Sequence, residues 1–232
     1  MNAMSPRSMD FGTIRRLVVK DWYFQRFPIA GYLATGALAL ALVAQPNEGT
    51  FFAGSILLIT VLIAVGIHLA MATVVEERKN QTLAFVMSLP VSPKEYTTAK
   101  IFANLLIFFL PWLALLVGSF AVIAGSAALP DGLIPFCAIV LLEIFASSVL
   151  ILAVALVSES QNWTIGAIVF GNLFFQGFLY SVSHLPEIAE AMKGSRIVWS
   201  PTAVTLLGAE AAAIVALVAL TFWLQSRKTD FL

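Results

Sequence analysis

Six apolar runs recur along this chain, at about 28–44, 51–75, 101–124, 133–157, 164–182 and 204–224. Each is close to the roughly 20 helical residues that cross a hydrocarbon layer about 30 Å thick, the first being the shortest. Lipid offers no partners to backbone amides and carbonyls, so each run must be a helix that closes its own hydrogen bonds. The alternating strands of about ten residues that build a membrane barrel are absent from the pattern. Hydrophobic residues make up 60% of the 232 positions and charged residues only 11%, far more apolar surface than a soluble domain of this length can hide. The expected fold class is an all-α integral membrane protein, one transmembrane domain over 1–232 with six spans.

The basic residues set the orientation. Arg7, Arg15, Arg16, Lys20 and Arg26 precede the first run; Arg78, Lys79, Lys94 and Lys100 lie between the second and third; Arg227 and Lys228 follow the sixth. Six crossings put these on one side, and only Lys193 and Arg196 on the other. Basic residues stay with the cytoplasm, so both termini are expected there. The formal net charge is zero, which gives no bulk attraction to nucleic acid. The lone Cys137 excludes an intrachain disulfide and a cysteine metal cluster. The charged first 27 residues lack a cleavable signal pattern.

Three segments outside the runs have readable grammar. Asp10 to Phe27 reads as an interfacial helix, with Phe11, Ile14, Leu17, Val18, Trp22 and Phe24 at helical spacing and the basic residues largely off that side. Pro28 is expected to break it from the first span, because the residue before proline avoids helical geometry. The insert 76–100 reads as a short helix presenting Leu83, Val86 and Met87, a corner at Leu89-Pro90-Val91, and a second helix that runs into the third span. Ser92 as N-cap, Pro93 at the first helical position and Glu95 completing a capping box agree on where that second helix starts. On the far side, 183–203 is the largest external piece, with a short helix expected from Pro186 and closed by Gly194.

No phosphate-binding loop is present, and the two histidines, His68 and His184, sit in no recognised catalytic setting. Polar residues inside the runs are the remaining chemical candidates. His68, Glu143, Asn172, Gln176 and Glu210 could line a path through the membrane, since intramembrane ionisable groups face a bundle interior or a wet cavity. They could equally make interhelical hydrogen bonds, and Ser147 lies one turn beyond Glu143. Glu210 is expected to find a cation in Lys193 or Arg196.

The insert, the six runs and the external segment together resemble an ABC-2-type transporter permease. The residues that carry the resemblance are Glu76-Glu77, Thr82-Leu83, Leu89-Pro90-Val91-Ser92, Tyr96 and Ala99-Lys100, with Gln81 where such proteins often have glycine. The motif covers about 25 residues and the architecture most of the chain. The resemblance implies a non-enzymatic permease subunit in a bacterial or archaeal plasma membrane, paired with a second identical or sister permease chain and two separate ATP-binding subunits. No cofactor is expected in this chain, ATP and Mg being bound by the partner ATPase. Glu76, Glu77, Arg78, Thr82, Leu83, Val86, Leu89, Pro90 and Ser92 would then form the coupling helix seated on that ATPase, with Glu159 of the fourth connection as a smaller contact. The cargo implied is amphiphilic or lipid-like and moves outward. The competing readings are an ion- or proton-coupled secondary transporter, a non-transporting membrane assembly protein, and a haem-handling permease of the same superfamily.

Overall fold

The computed structural model describes residues 11–79 and 93–227, all of whose regular structure is helical. The chain runs through α1 (Phe11–Val43), α2 (Glu48–Ala70), a π-helical turn (Met71–Val75), α3 (Glu76–Lys79), α4 (Pro93–Gly125), α5 (Leu133–Ser158), α6 (Gln161–Ser183), a short α7 (Pro186–Ala191) and α8 (Pro201–Ser226). Among the described residues six helices are long and apolar enough to cross a bilayer, and they coincide with the six runs. The interior of the insert, including Thr82, Leu83, Val86, Leu89, Pro90 and Ser92, lies outside the described residues, as does the side chain of Arg78.

α5 is the central helix, packed against α2, α4, α6 and α8. It is the most buried of the six spans, and its sequence is apolar on all sides, as a helix surrounded by helices should be. α1 closes the bundle on one flank by lying against α2 and α4. The main core forms where α1, α2, α4 and α5 meet, and there the Phe145 ring lies 5.3 Å from that of Phe108 and 5.2 Å from that of Trp112, centroid to centroid. Trp112 Nε1 donates to the Leu141 carbonyl at 2.6 Å, so the indole is buried with its only donor satisfied. Small residues let helices approach: a Cβ at Gly54 would meet the α1 backbone at Ala39 and Val43.

One expectation fails. Pro28 does not separate an interfacial helix from the first span; α1 is continuous through it. A proline inside a helix removes one backbone bond and costs about 3 kcal/mol. Here a single buried stripe, Ile14, Asp21, Gln25, Ile29, Gly36, Ala39 and Val43, runs at helical spacing on both sides of Pro28 and holds both halves against the same neighbours. Of the apolar set read from the sequence, Ile14 belongs to this stripe, while Phe11, Trp22 and Phe24 are exposed; Asp21 and Gln25 are buried.

At 33 residues each, α1 and α4 are about 50 Å long, some 20 Å more than a hydrocarbon layer needs. Their excess projects at the same end of the bundle, the end that carries the insert. At the far end the segment before α8 folds back onto the bundle. The short helix expected from Pro186 is present, Ile188 is buried beneath it, and Gly132 N donates to Gly194 O at 3.0 Å. A Cβ at Gly132 would run into the Ala191 carbonyl, a backbone atom that cannot rotate away. Gly132→Val is therefore expected to lower stability by about 1–3 kcal/mol. Thermal unfolding in detergent measures the loss, and faster proteolysis between 183 and 200 would accompany it.

Candidate functional site

At the insert end the structure builds a four-charge lattice from three separate parts of the chain. α4 presents Tyr96, Lys100 and Asn104, spaced four residues apart and therefore on one face. α1 contributes Lys20 and Asp21. α3 contributes Glu77, just beyond the π-helical turn. That wide turn shifts the register of the residues beyond it by about one position, roughly 100° around the axis, and so re-aims Glu77 toward α1 and α4.

Lys100 lies at the centre. Its Nζ is 2.8 Å from Asp21 Oδ2 and 2.8 Å from Glu77 Oε2, and its side chain is only 2% exposed. Lys20 spans the same two acids from the rim, 2.8 Å from Glu77 Oε1 and 3.3 Å from Asp21 Oδ1. Tyr96 donates its hydroxyl to Glu77 Oε2 at 3.2 Å. One turn deeper, Thr73 donates to Asn104 Oδ1 at 2.9 Å, and Asn104 Nδ2 donates to the Lys100 carbonyl. Two cations and two anions balance, every long-range bond joins different helices, and α1, the base of α3 and α4 are thereby locked together. Asp21 lies 22 residues, about 33 Å, from the far end of α1, which places the lattice beyond the hydrocarbon.

Burial pushes the Glu77 carboxyl upward, but attraction to Lys100 and Lys20 and the hydrogen bonds to both outweigh it and hold it below its ordinary value of 4.5. The charged form is thus favoured by folding. Its contribution is complete above pH 4.5 and is lost as the pH falls toward the lower folded value. Acidification from about pH 6 to about pH 3.5 is expected to lower the melting temperature of the wild type more than that of Glu77→Gln, which has no such proton to take up. Parallel melts across that range check it.

Of the expected coupling residues, Glu76 is exposed beside the lattice, Glu77 is engaged within it, and Glu159 lies at the same end. Glu159 ends α5 with φ 56°, a left-handed conformation, and the next residue, Ser160, already holds the N-cap position of α6, so the fourth connection is tighter than the sequence suggested. A cavity of about 280 Å³ lined by Val75, Lys79, Ala155, Glu159, Ser160 and Gln161 joins this connection to the base of the insert.

The expected path residues divide. Glu143 and Glu210 sit on facing helices, α5 and α8, about 15 Å and 14 Å from the far ends of those helices, near mid-membrane. Ser147 donates to Glu143 Oε1 at 3.1 Å. Glu210 is buried with no hydrogen-bond partner on either oxygen, on a helix packed against the one that carries Glu143. The expected cation from Lys193 or Arg196 is not there; both are exposed at the far surface, too shallow to reach. Asn172 and Ser147 line one small void against Ile144, which brings Asn172 into the neighbourhood of this pair. His68 and Gln176 stay apart from it. His68 bonds Gln25 at 2.9 Å and lies against Tyr32 on α1, while Gln176 is exposed.

A second cavity, of about 350 Å³, opens at the far end among α2, α4 and α5 and is almost wholly apolar. Closed and empty, a void of that size would cost about 8 kcal/mol at roughly 24 cal/mol per Å³.

The lattice was not legible as a unit in the sequence, because Lys20–Glu77 and Asp21–Lys100 are 57 and 79 residues apart. The signal that existed was the Tyr96–Lys100–Asn104 spacing leading into an apolar run. A family model described as "ABC-2 family transporter protein" matches residues 31–199, more than half of the chain, including Glu77 and Lys100 but not Lys20 and Asp21. No curated protein and no solved structure matches the chain. With six apolar helices in the expected places and the match spanning four of them whole and the second part of α1, the chain belongs to the ABC-2 family of transporter proteins.

Proposed function

We propose that this chain is the permease subunit through which separate ATP-binding subunits drive export of an amphiphilic or lipid-like cargo. The observation that carries the reading is the lattice. A partner pushing on the insert meets a base that is tied ionically to α1 and α4, so displacement is carried into two membrane-spanning helices rather than lost in a flexible connection. The insert end then faces the cytoplasm with both termini, in the plasma membrane of a bacterium or archaeon. Two permease chains, identical or sister subunits, and two ATPase subunits make the assembly, and ATP with Mg is held by the ATPases. The 280 Å³ cavity between Lys79 and Glu159 adds a second contact for the same partner.

The test is co-expression with an ATP-binding subunit encoded beside this chain. A stable complex whose ATPase rate changes when the permease is present supports the reading; failure to co-purify, or labelling that places Glu76 outside the cell, overturns it. One observation favours a second reading. The partnerless Glu210 beside Glu143 is what a proton carrier would look like. Transport that survives ATP depletion and stops when the proton gradient collapses would select that reading instead.

A further inference from the structure

We propose that the far-end cavity is a binding site for a single alkyl chain, entered sideways from the bilayer past α2. Its depth, chemistry and entrance agree. The lining residues of α2 fall within its first three turns, about 4–17 Å from Glu48, which matches one leaflet of a hydrocarbon layer about 30 Å thick. Phe52 and Ile56 line the cavity and are also 61% and 65% exposed, so the opening faces the lipid flank rather than the aqueous end. Val140 and Leu141 of α5, nearly fully buried, close the back.

Water is a poor occupant. A trapped water needs two to four polar partners. Among the lining groups that could serve, Ser119 already donates to the Leu115 carbonyl at 2.7 Å. The volume, about 350 Å³, falls in the range of roughly 300–1,000 Å³ typical of small-molecule sites. The other polar lining groups, Ser55 and Cys137, are too few to hold water throughout such a space, and a hydrocarbon chain is the component present at that depth and opening that fills it. The outward faces of α6 and α8 also expose apolar side chains, Phe174 and Trp223 among them, but neither of these lines this cavity.

This deepens the proposed amphiphile cargo, yet it fails separately: loss of ATPase association leaves the alkyl site standing, and an empty cavity leaves the coupling reading standing. The test uses the full chain in phosphatidylcholine nanodiscs with two probes, a diazirine fatty acid and a phosphatidylcholine carrying a diazirine on one acyl chain, and maps the adducts by peptide mass spectrometry. Adducts concentrated at 51–59 and 133–141 are expected. Ser55→Phe, which fills the mouth from a half-buried position, should reduce them about tenfold or more. Val140→Trp, which fills the back, should do the same if the first variant is accommodated by movement of Phe52. Adducts from the fatty acid that excess unlabelled fatty acid removes identify a free amphiphile as the source; adducts from the phosphatidylcholine probe identify a membrane lipid, and either supports the site. Labelling spread evenly over α6 and α8 and indifferent to both substitutions overturns it, and so does a crosslink from Phe52 or Ile56 to a second copy of the chain.

Discussion

Lys100→Met is expected to lower stability by about 3–5 kcal/mol, because it leaves the two carboxylates of Asp21 and Glu77 packed together with only the rim cation Lys20. For a protein of this size each kcal/mol is worth about 2–4 °C, so the melting temperature in detergent should fall by about 6–20 °C. The large figure comes from stranding the partners, not from the intrinsic worth of the pair, since buried ion pairs are often no better than apolar groups of the same shape. Neutralising the stranded acids should therefore restore the fold. Asp21→Asn and Glu77→Gln added to Lys100→Met remove the uncompensated charge and should recover more than half of the loss, a coupling that a mutant cycle reads directly. Lys20→Met should cost about 1 kcal/mol or less, because that side chain is 32% exposed and water screens it. A Lys100→Met protein that melts with the wild type would show that the lattice is open to water and locks nothing.

What the sequence revealed and what it withheld divide along a physical line. The spans were legible because each depends on its own hydropathy and on the rule that lipid-buried backbone must be helical. The continuity of the helix from Glu95 into the third span was legible because no proline or glycine interrupts it before Pro111. Pro28 misled for the same reason: the local preference is real, but a stripe from Ile14 to Val43 packed on α2 and α4 overrides it. Asp21 and Gln25 carried no sequence signal of burial, and only the arrival of Lys100 and His68 from other helices explains it. Glu143 with Ser147 was legible because both lie on one helix. The absence of a cation at Glu210 was not, because the nearest basic residues in sequence belong to a surface segment whose distance from mid-membrane is a property of the assembled bundle. The apolar cavity left no sequence signal at all, since its lining residues differ in nothing from those of a filled core.

Glu76 and Glu77 are adjacent in sequence, yet substitution should separate them sharply. Glu77→Lys places a third cation against Lys20 and Lys100 in a nearly dry site. It should damage assembly before any question of coupling arises, by an amount comparable to the loss of Lys100. It is therefore a poor probe of partner docking. Glu76 is exposed on the same short helix, so Glu76→Lys should leave the melting temperature within about 2 °C, as surface changes usually do. Leu83→Asp acts further into the insert, where the sequence places an apolar helical face for a partner. If the insert is the handle for an ATPase, both variants should fold and insert normally. Each should cut ATP-dependent transport about tenfold, the effect of roughly 1.4 kcal/mol lost from a docking contact. The readout is a pair of measurements on each purified variant: melting temperature, and transport per ATP hydrolysed in vesicles with the cognate ATPase. Low transport with an intact melt at positions 76 and 83, against a collapsed melt at 77, is the pattern that the lattice geometry requires of a rigid transmission. Full transport in Glu76→Lys and Leu83→Asp would mean that the partner, if there is one, grips the permease elsewhere.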